Sequence, residues 1–230
     1  MYFCHASAIW NEYPELVAGV LAVDGLTGHA DLDARVGGLT AVADSRLASH
    51  AEGELPEIQA WRRVFTRMGL KPTQYRCASE ALLRRYRKEG ALPRIHPLVD
   101  LCNAVSLAFA IPVAVFDVDK LSDYLEVRHA AGFETYVSFS GETELPAPGE
   151  VIFADGAGRA HARRWTNRQS RDSAVGPGTT EALIVAEAVH DSAQADVERL
   201  IAALAHAIGD VWAVTTSSAL LSRSAPRFDW

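Results

Sequence analysis

The sequence predicts an α+β fold of layered sheets and helices, and two observations carry that expectation. Strand-length apolar runs in the second half return on themselves as hairpins. Glu150-Val-Ile-Phe-Ala-Asp155 and His161-Ala-Arg-Arg-Trp165, for example, flank the turn Gly156-Ala-Gly158. The amphipathic helical stretches lie mostly on the flanks of these strands. Both features favour a layered α+β domain over a doubly wound α/β sheet.

In chain order, residues 14–23 read as a buried strand, Leu16-Val-Ala-Gly-Val-Leu-Ala-Val, closed by the turn dipeptide Asp24-Gly25. Residues 31–50 are mostly helix formers, with Leu32, Val36, Leu39, Ala43 and Leu47 on one stripe interrupted by Gly37-Gly38. Pro56 opens a second helix. Ile58, Trp61, Phe65 and Met68 keep a spacing of three to four, and Gly69 closes it. A basic helix follows over about residues 75–88, with Ala78, Leu82 and Tyr86 inward and Gly90 as its stop. Its last turn gathers Arg84, Arg85, Arg87 and Lys88, where cations favour the negative end of the helix dipole.

Residues 92–121 read as turn, buried helix, turn, buried strand. Pro97 suits the first turn of a helix, because its missing N–H has no partner there. Val99, Leu101, Cys102, Val105 and Leu107 leave almost no polar face. Asp100 and Asn103, three apart, share one face and need partners. They either tie the helix to a neighbouring loop or border a pocket. Pro112 breaks the helix, and Val113–Phe116 reads as a strand buried on both sides.

Residues 124–129 form a short strand, and Glu134–Phe139 alternates like a half-buried one. Residues 141–149 form a loop, and 166–178 are polar and irregular. Residues 180–189 hold another strand around Ala182-Leu-Ile-Val-Ala186. Val197, Leu200, Ile201, Leu204 and Ile208 then mark an amphipathic helix, with Gly209 as its expected stop and Val211–Val214 as a closing strand. No linker or internal repeat appears, so residues 1–230 are expected to form a single domain.

Apolar residues make up 49% and charged residues 22%, the balance of a globular chain with a substantial core. No apolar run approaches membrane-spanning length. The start of the chain lacks the basic region of a signal peptide, and three widely spaced cysteines form no disulfide framework, so a reducing cytoplasm is expected. The net charge of −7 is uneven. Residues 62–94 carry ten Arg or Lys against two acids, and residues 159–172 carry five against one, within an otherwise acidic chain. Such concentrated basic segments are either solvated helix faces or a local footprint for a polyanion.

No P-loop, G-x-G-x-x-G, G-x-S-x-G or H-E-x-x-H occurs, and no His stands at metal-ligand spacing from another His or Cys, so neither a metal nor a cofactor is expected. Cys102 and His96 sit on one apolar helix and would not meet as a nucleophile and base. The segment 159–173 contains Arg163-Arg-Trp-Thr-Asn-Arg-Gln-Ser170 and Arg171. Its guanidinium forks suit phosphate or carboxylate, Asn167 and Gln169 can read amide or base edges, and Trp165 is either a stacking face or a core plug. Glu187 ends a buried strand, where a carboxylate can hold an amine or hydroxyl, orient water, or simply form an ion pair.

Val99-Asp100-x-x-Asn103 with Pro112…Phe116-Asp117-x-Asp119-Lys120-Leu121, then Pro148-Gly-Glu-Val-Ile-x-x-Asp155-Gly with the Arg163–Ser170 block, then Thr180 through Glu187, together resemble the B3/B4 domain of the phenylalanyl-tRNA synthetase β subunit and its free-standing relatives. The resemblance covers about residues 70–190. It implies a three-layer sandwich of two β layers and one α layer. It also implies a tRNA-associated protein that hydrolyses misacylated tRNA in trans, with the tRNA or aminoacyl-tRNA acceptor end as its partner. By this resemblance Glu187 contacts the amino-acid side chain, and Cys102, Asn103, Pro112, Ala114, Arg164, Asn167 and Ser170 share the substrate site. Arg84, Arg85, Arg87, Lys88, Arg163, Arg168 and Arg171 are the expected nucleic-acid contacts. The chain departs from the family twice: Cys102 stands where the family has Thr, and Ala114 where it has His. A different aminoacyl group, or a binding module without turnover for RNA or a free amino acid, is therefore the alternative. A small-molecule enzyme whose basic loop holds a carboxylate or phosphate is a third. No general base is identified.

Overall fold

The computed structural model describes residues 1–230. In chain order its elements are β1 (Tyr2–His5), α1 (Ser7–Glu12), β2 (Val17–Asp24), α2 (Asp33–Ser49), α3 (Pro56–Arg67), α4 (Ala78–Glu89), α5 (Pro97–Phe109), β3 (Val113–Asp117), β4 (Tyr124–His129), β5 (Tyr136–Val137), β6 (Thr143–Glu144), β7 (Val151–Asp155), β8 (Ala160–Arg163), β9 (Arg168–Gln169), β10 (Glu181–Ala188), α6 (Ala193–Trp212), β11 (Thr216–Leu221) and β12 (Arg227–Asp229).

Two sheets and a helical layer stack as the α+β sandwich. The inner sheet is antiparallel, in the order β11-β2-β10-β3. The outer sheet runs β12-β1-β4-β7-β8-β9, and its only parallel pair is β1 with β4. Side chains alternate across a strand, so the inner sheet has two apolar faces. Leu21, Val23, Val115, Ile184 and Ala186 pack against α5 and α6. Val20, Phe116, Leu183 and Val185 pack instead against Phe3, Leu125, Val127 and Phe153 of the outer sheet. This two-sided burial explains why β2 and β10 read as continuous apolar runs rather than as alternating ones.

Helix and strand spacing located most elements, with instructive differences. The buried stripe of α4 is Ser79, Glu80, Leu83 and Tyr86, one position on from the expected Ala78 and Leu82. Glu80 turns inward because Arg62 and Arg76 bind its carboxylate, at 2.6 and 3.4 Å. Helix α6 runs through Gly209 to Trp212, since Trp212 Nε1 donates to the Thr27 carbonyl (3.0 Å) and anchors the last turn. The closing strand is accordingly β11, not residues 211–214. Strands β1 and β12 at the outer-sheet edge were not foreseen.

The segment 134–139 inverts the usual rule. Its polar members Glu134 and Ser138 are buried beside Tyr136, while Phe133 and Phe139 are 71% and 68% exposed. Glu134 accepts from the Ala131 and Gly132 N–H groups (3.0 and 2.9 Å) and from Arg128 Nη1 (2.5 Å). The carboxylate thus satisfies a tight turn that no neighbouring strand reaches. Burial alone would raise the Glu134 carboxyl, but these donors outweigh it and hold the group at about 2.

Two outcomes follow for stability. The folded-state value of Glu134 lies below that of the unfolded chain, so its contribution is complete above pH about 4.5 and is lost as pH falls toward about 2. Acid titration of the Glu134→Gln variant, followed by circular dichroism, should show a shallower loss over that window; an unchanged slope would refute it. Gly19 brings β2 against α6, where an added β-carbon would stand 2.5 Å from Ile201 Cγ1 and 2.6 Å from Val197 Cγ1. Gly19→Ala should cost about 1–3 kcal/mol in urea unfolding.

Candidate functional site

Glu187 is the seventh residue of β10, on the face turned toward the outer sheet, and is 2% exposed. Its Oε1 accepts two hydrogen bonds, from His5 Nε2 (2.7 Å) and Trp165 Nε1 (2.8 Å). Both donors come from the facing side. His5 ends β1, with its ring 5.1 Å from Phe3 and 4.9 Å from Trp10. Trp165 follows β8 in a turn where Arg164 and Trp165 both have positive φ, 49° and 58°. This conformation is costly for residues with a β-carbon. It persists because Trp165 N–H donates to the Val151 carbonyl (2.7 Å) and Arg164 N–H to Glu150 Oε1 (3.0 Å). The indole turns inward, where Tyr13 and Trp61 meet it edge-on at 4.8 and 5.1 Å. Trp165 is therefore a core plug that also donates a hydrogen bond.

Glu187 lines a cavity of about 60 Å³, and its Oε2 accepts no hydrogen bond from the chain. That volume is on the order of four to six water positions, the size of a small side chain rather than a nucleotide. Pro112, Ala114, Phe153, Ala162 and Val185 supply apolar walls, and Thr166, Asn167 and Gln169 a polar rim. Asn167 is fixed by donating Nδ2 to the Arg76 carbonyl (2.7 Å). Gln169 donates Nε2 to the Val115 carbonyl (2.5 Å), which closes the free edge of β3.

Of the residues expected to share a substrate site, Pro112, Ala114, Asn167 and Glu187 meet here. Cys102 and Asn103 lie across β3, in a second cavity of about 130 Å³ that shares Val113 and Gln169 with the first. Arg164 and Ser170 line neither. The Arg164 guanidinium lies 4.7 Å over the Tyr75 ring. Ser170 is wholly buried, donating to the Val137 carbonyl (2.8 Å) and capping a short helical turn through Asp172 N–H (3.2 Å).

The Asp100–Asn103 pair satisfies both of its readings. Asp100 accepts from the Ile95 N–H (2.9 Å), tying helix to loop, and both residues line a further cavity of about 260 Å³ against α2. His96 caps α5 by accepting from Leu98 N–H (3.2 Å), and burial pushes the Cys102 thiol up. No thiolate nucleophile arises there.

Much of the positive charge is internally paired. Arg84 and Arg87 approach Glu52 at 3.7 and 2.7 Å, and Arg85 pairs with Glu89 at 2.9 Å; Lys88 is exposed. Arg163 is buried, forked onto Glu150 (2.9 Å twice) and bonded to Glu144. Arg168 is exposed, 3.3 Å from Glu144, and Arg171 is exposed without a carboxylate partner. Glu57, His190 and Asp196 converge within 4.8 Å, which their sequence spacing did not signal. Arg46 forks onto Glu57 (2.7 and 2.8 Å) and Arg199 bonds Asp196, so cations of the chain already hold these carboxylates.

The sequence profile of the B3/4 domain matches residues 60–204. The chain belongs to the B3/4 domain family. A segment is 34% identical over 76 residues to the phenylalanine–tRNA ligase beta subunit of Cereibacter sphaeroides, covering 33% of this chain and 9% of that protein. Another is 32% identical over 83 residues to the same subunit of Neisseria gonorrhoeae, covering 36% of this chain and 10% of that one. The matched segments thus span about a tenth of these relatives' length. Among solved structures, an N-terminal fragment of the phenylalanyl-tRNA synthetase beta subunit from Pyrococcus horikoshii aligns at a TM-score of 0.47 and 10% identity, covering 93% of this chain and 49% of that one.

Sequence reasoning missed His5, which lies 182 positions from its partner and before the segment matched by the B3/4 family. The one local signal was the alternation Tyr2-Phe-Cys-His5, whose second and fourth residues are buried. The placement of Arg163 has a measurable consequence. Arg163→Ala leaves Glu150 without its fork and should cost about 3–5 kcal/mol in chemical unfolding. Arg171→Ala should stay within about 0.5 kcal/mol of the parent.

Proposed function

We propose that the protein binds the aminoacyl end of a tRNA and hydrolyses the ester of a misattached amino acid in trans. One observation carries this reading: a buried carboxylate, Glu187, has one oxygen saturated by two donors and the other unpaired beside a cavity of side-chain size. An unpaired acceptor facing a small cavity favours a ligand that brings its own donor, such as a hydroxyl or ammonium group, and rejects an apolar isostere. The family relation and the two relatives named for phenylalanine–tRNA ligase support the tRNA part of the reading.

The chemistry asks little of the chain. A water oxygen bonds to the ester carbonyl carbon, the bond to the ribose oxygen breaks, and that oxygen takes up a proton. The protein's part is to hold the aminoacyl group still and to offer donors to the developing oxyanion. The exposed cations Lys88, Arg168 and Arg171 are the candidates for holding phosphates. The paired Arg84, Arg85 and Arg87 can contribute only by exchanging partners.

A second reading, binding without turnover, is favoured by the pocket's own composition. Its lining contains no imidazole, Glu187 is its sole carboxylate, and Ala114, beside Val185 on the neighbouring strand, adds no polar group. A panel of correctly and incorrectly charged tRNAs separates the two. Faster deacylation than the spontaneous rate for at least one misacylated pair is expected, reduced about tenfold or more in Glu187→Gln, which removes a charge-assisted contact. Binding of every pair with no acceleration would refute hydrolysis and leave the binding module.

A further inference from the structure

Helix α2 carries a glycine pair that its backbone does not need. Gly37 and Gly38 lie inside the helix without a left-handed φ, and a β-carbon on either would meet nothing within 4 Å. Interior glycines weaken a helix relative to alanine, so two together call for another reason. Gly37 lines the cavity of about 260 Å³ between α2, α5 and the end of α4. That volume is on the order of twenty water positions, room for a small organic molecule. A larger side chain at position 37 would occupy part of it, and glycine keeps it open.

The lining combines hydrocarbon with an under-used carboxylate. Val36, Leu92, Ala104 and Leu107 are apolar, and Tyr86 adds an aromatic ring. The Asp100 side chain is only 10% exposed. Its Oδ1 accepts from the Ile95 N–H (2.9 Å), but its Oδ2 has only Arg94 Nη1 at 3.9 Å, beyond hydrogen-bond distance. Arg94 bonds Asp33 instead (2.5 Å), and both side chains are exposed, a rim pair of the kind that exchanges partners readily. Thr40 Oγ1 gives its proton to the Val36 carbonyl (2.9 Å) and keeps only lone pairs for a further partner. Asp33, Asp100 and Arg94 are the charged residues of the lining. An anion would meet two carboxylates against one guanidinium, and a cation meets the favourable balance.

We propose that the cavity between α2, α4 and α5 binds a small organic amine as its ammonium ion. The ammonium donates to Asp100 Oδ2 and Thr40 Oγ1, and the hydrocarbon body packs on Val36 and Leu107. The Tyr86 ring adds the attraction of an aromatic face for a cation. This cavity shares no residue with the Glu187 pocket, and its ligand does not depend on what that pocket holds.

Three probes of one shape test this by calorimetric titration of the full chain at neutral pH: phenethylamine, present as its ammonium ion, the neutral 2-phenylethanol and the anionic 3-phenylpropionate. The parent should bind the amine about tenfold or more tightly than the alcohol, and the acid more weakly than either. Asp100→Asn keeps an acceptor for the Ile95 N–H and should erase the preference for the amine. Gly37→Leu should abolish amine binding with the melting temperature unchanged or raised, since leucine is the stronger helix former. Glu187→Gln should bind the amine as the parent does. No binding of the amine by the parent, equal affinity for amine and alcohol, or undiminished binding in Gly37→Leu overturns the proposal. Loss of binding in Glu187→Gln with retention in Asp100→Asn overturns it too, because the amine then sits in the other pocket.

Discussion

The structure depends on one buried carboxylate held across the gap between its two sheets. Glu187 belongs to the inner sheet, and its Oε1 is bonded by His5 from the outer-sheet strand β1 and by Trp165 from the turn after β8. A carboxylate in this setting is costly unless its lone pairs are met. Two short donors meet one oxygen. They also fix the distance between the sheets at the point where the cavity opens, so the polar contact and the shape of the pocket have a common cause. The strained turn at Arg164 and Trp165 belongs to the same construction, since it aims the indole N–H at Glu187.

How much of this was legible in the sequence depended on the range of the interactions. The buried strands β2, β3 and β10 and helices α5 and α6 declared themselves by apolar runs and spacing, because burial on one or both faces leaves a local periodic trace. Glu187 was found because it interrupts such a run. His5 was not, because its role is set by the pairing of β1 with β4, more than a hundred residues away, and a four-residue edge strand has too little pattern to announce itself. Segment 134–139 misled for a related reason. Its alternation is real, but the side turned inward is the one that satisfies backbone N–H groups, and hydropathy does not record that demand.

The charge pattern taught a similar lesson. Ten cations in residues 62–94 suggested a polyanion footprint, yet several of them meet carboxylates. Glu52 and Glu80 are both buried and each takes two arginines. A basic run in sequence is a count of charges, and only the fold shows which are already neutralised. In that stretch only Arg63, Lys71 and Lys88 have no carboxylate partner, and outside it Arg171 is exposed and likewise unpaired. The departures at Cys102 and Ala114 also change meaning once placed. They fall in two different cavities, so they change the linings of two pockets rather than one site twice.

Gln169 has a role beyond lining both cavities. Strand β3 is the outermost strand of the inner sheet, and its backbone is a ready template for a strand from another molecule. The Gln169 side chain takes the Val115 carbonyl that such a strand would need. Strand β9, two residues long, is itself too short to extend a ladder. The wall between the cavities therefore also blunts a sticky edge, and a substitution chosen to widen either cavity at Gln169 would expose the protein to self-association.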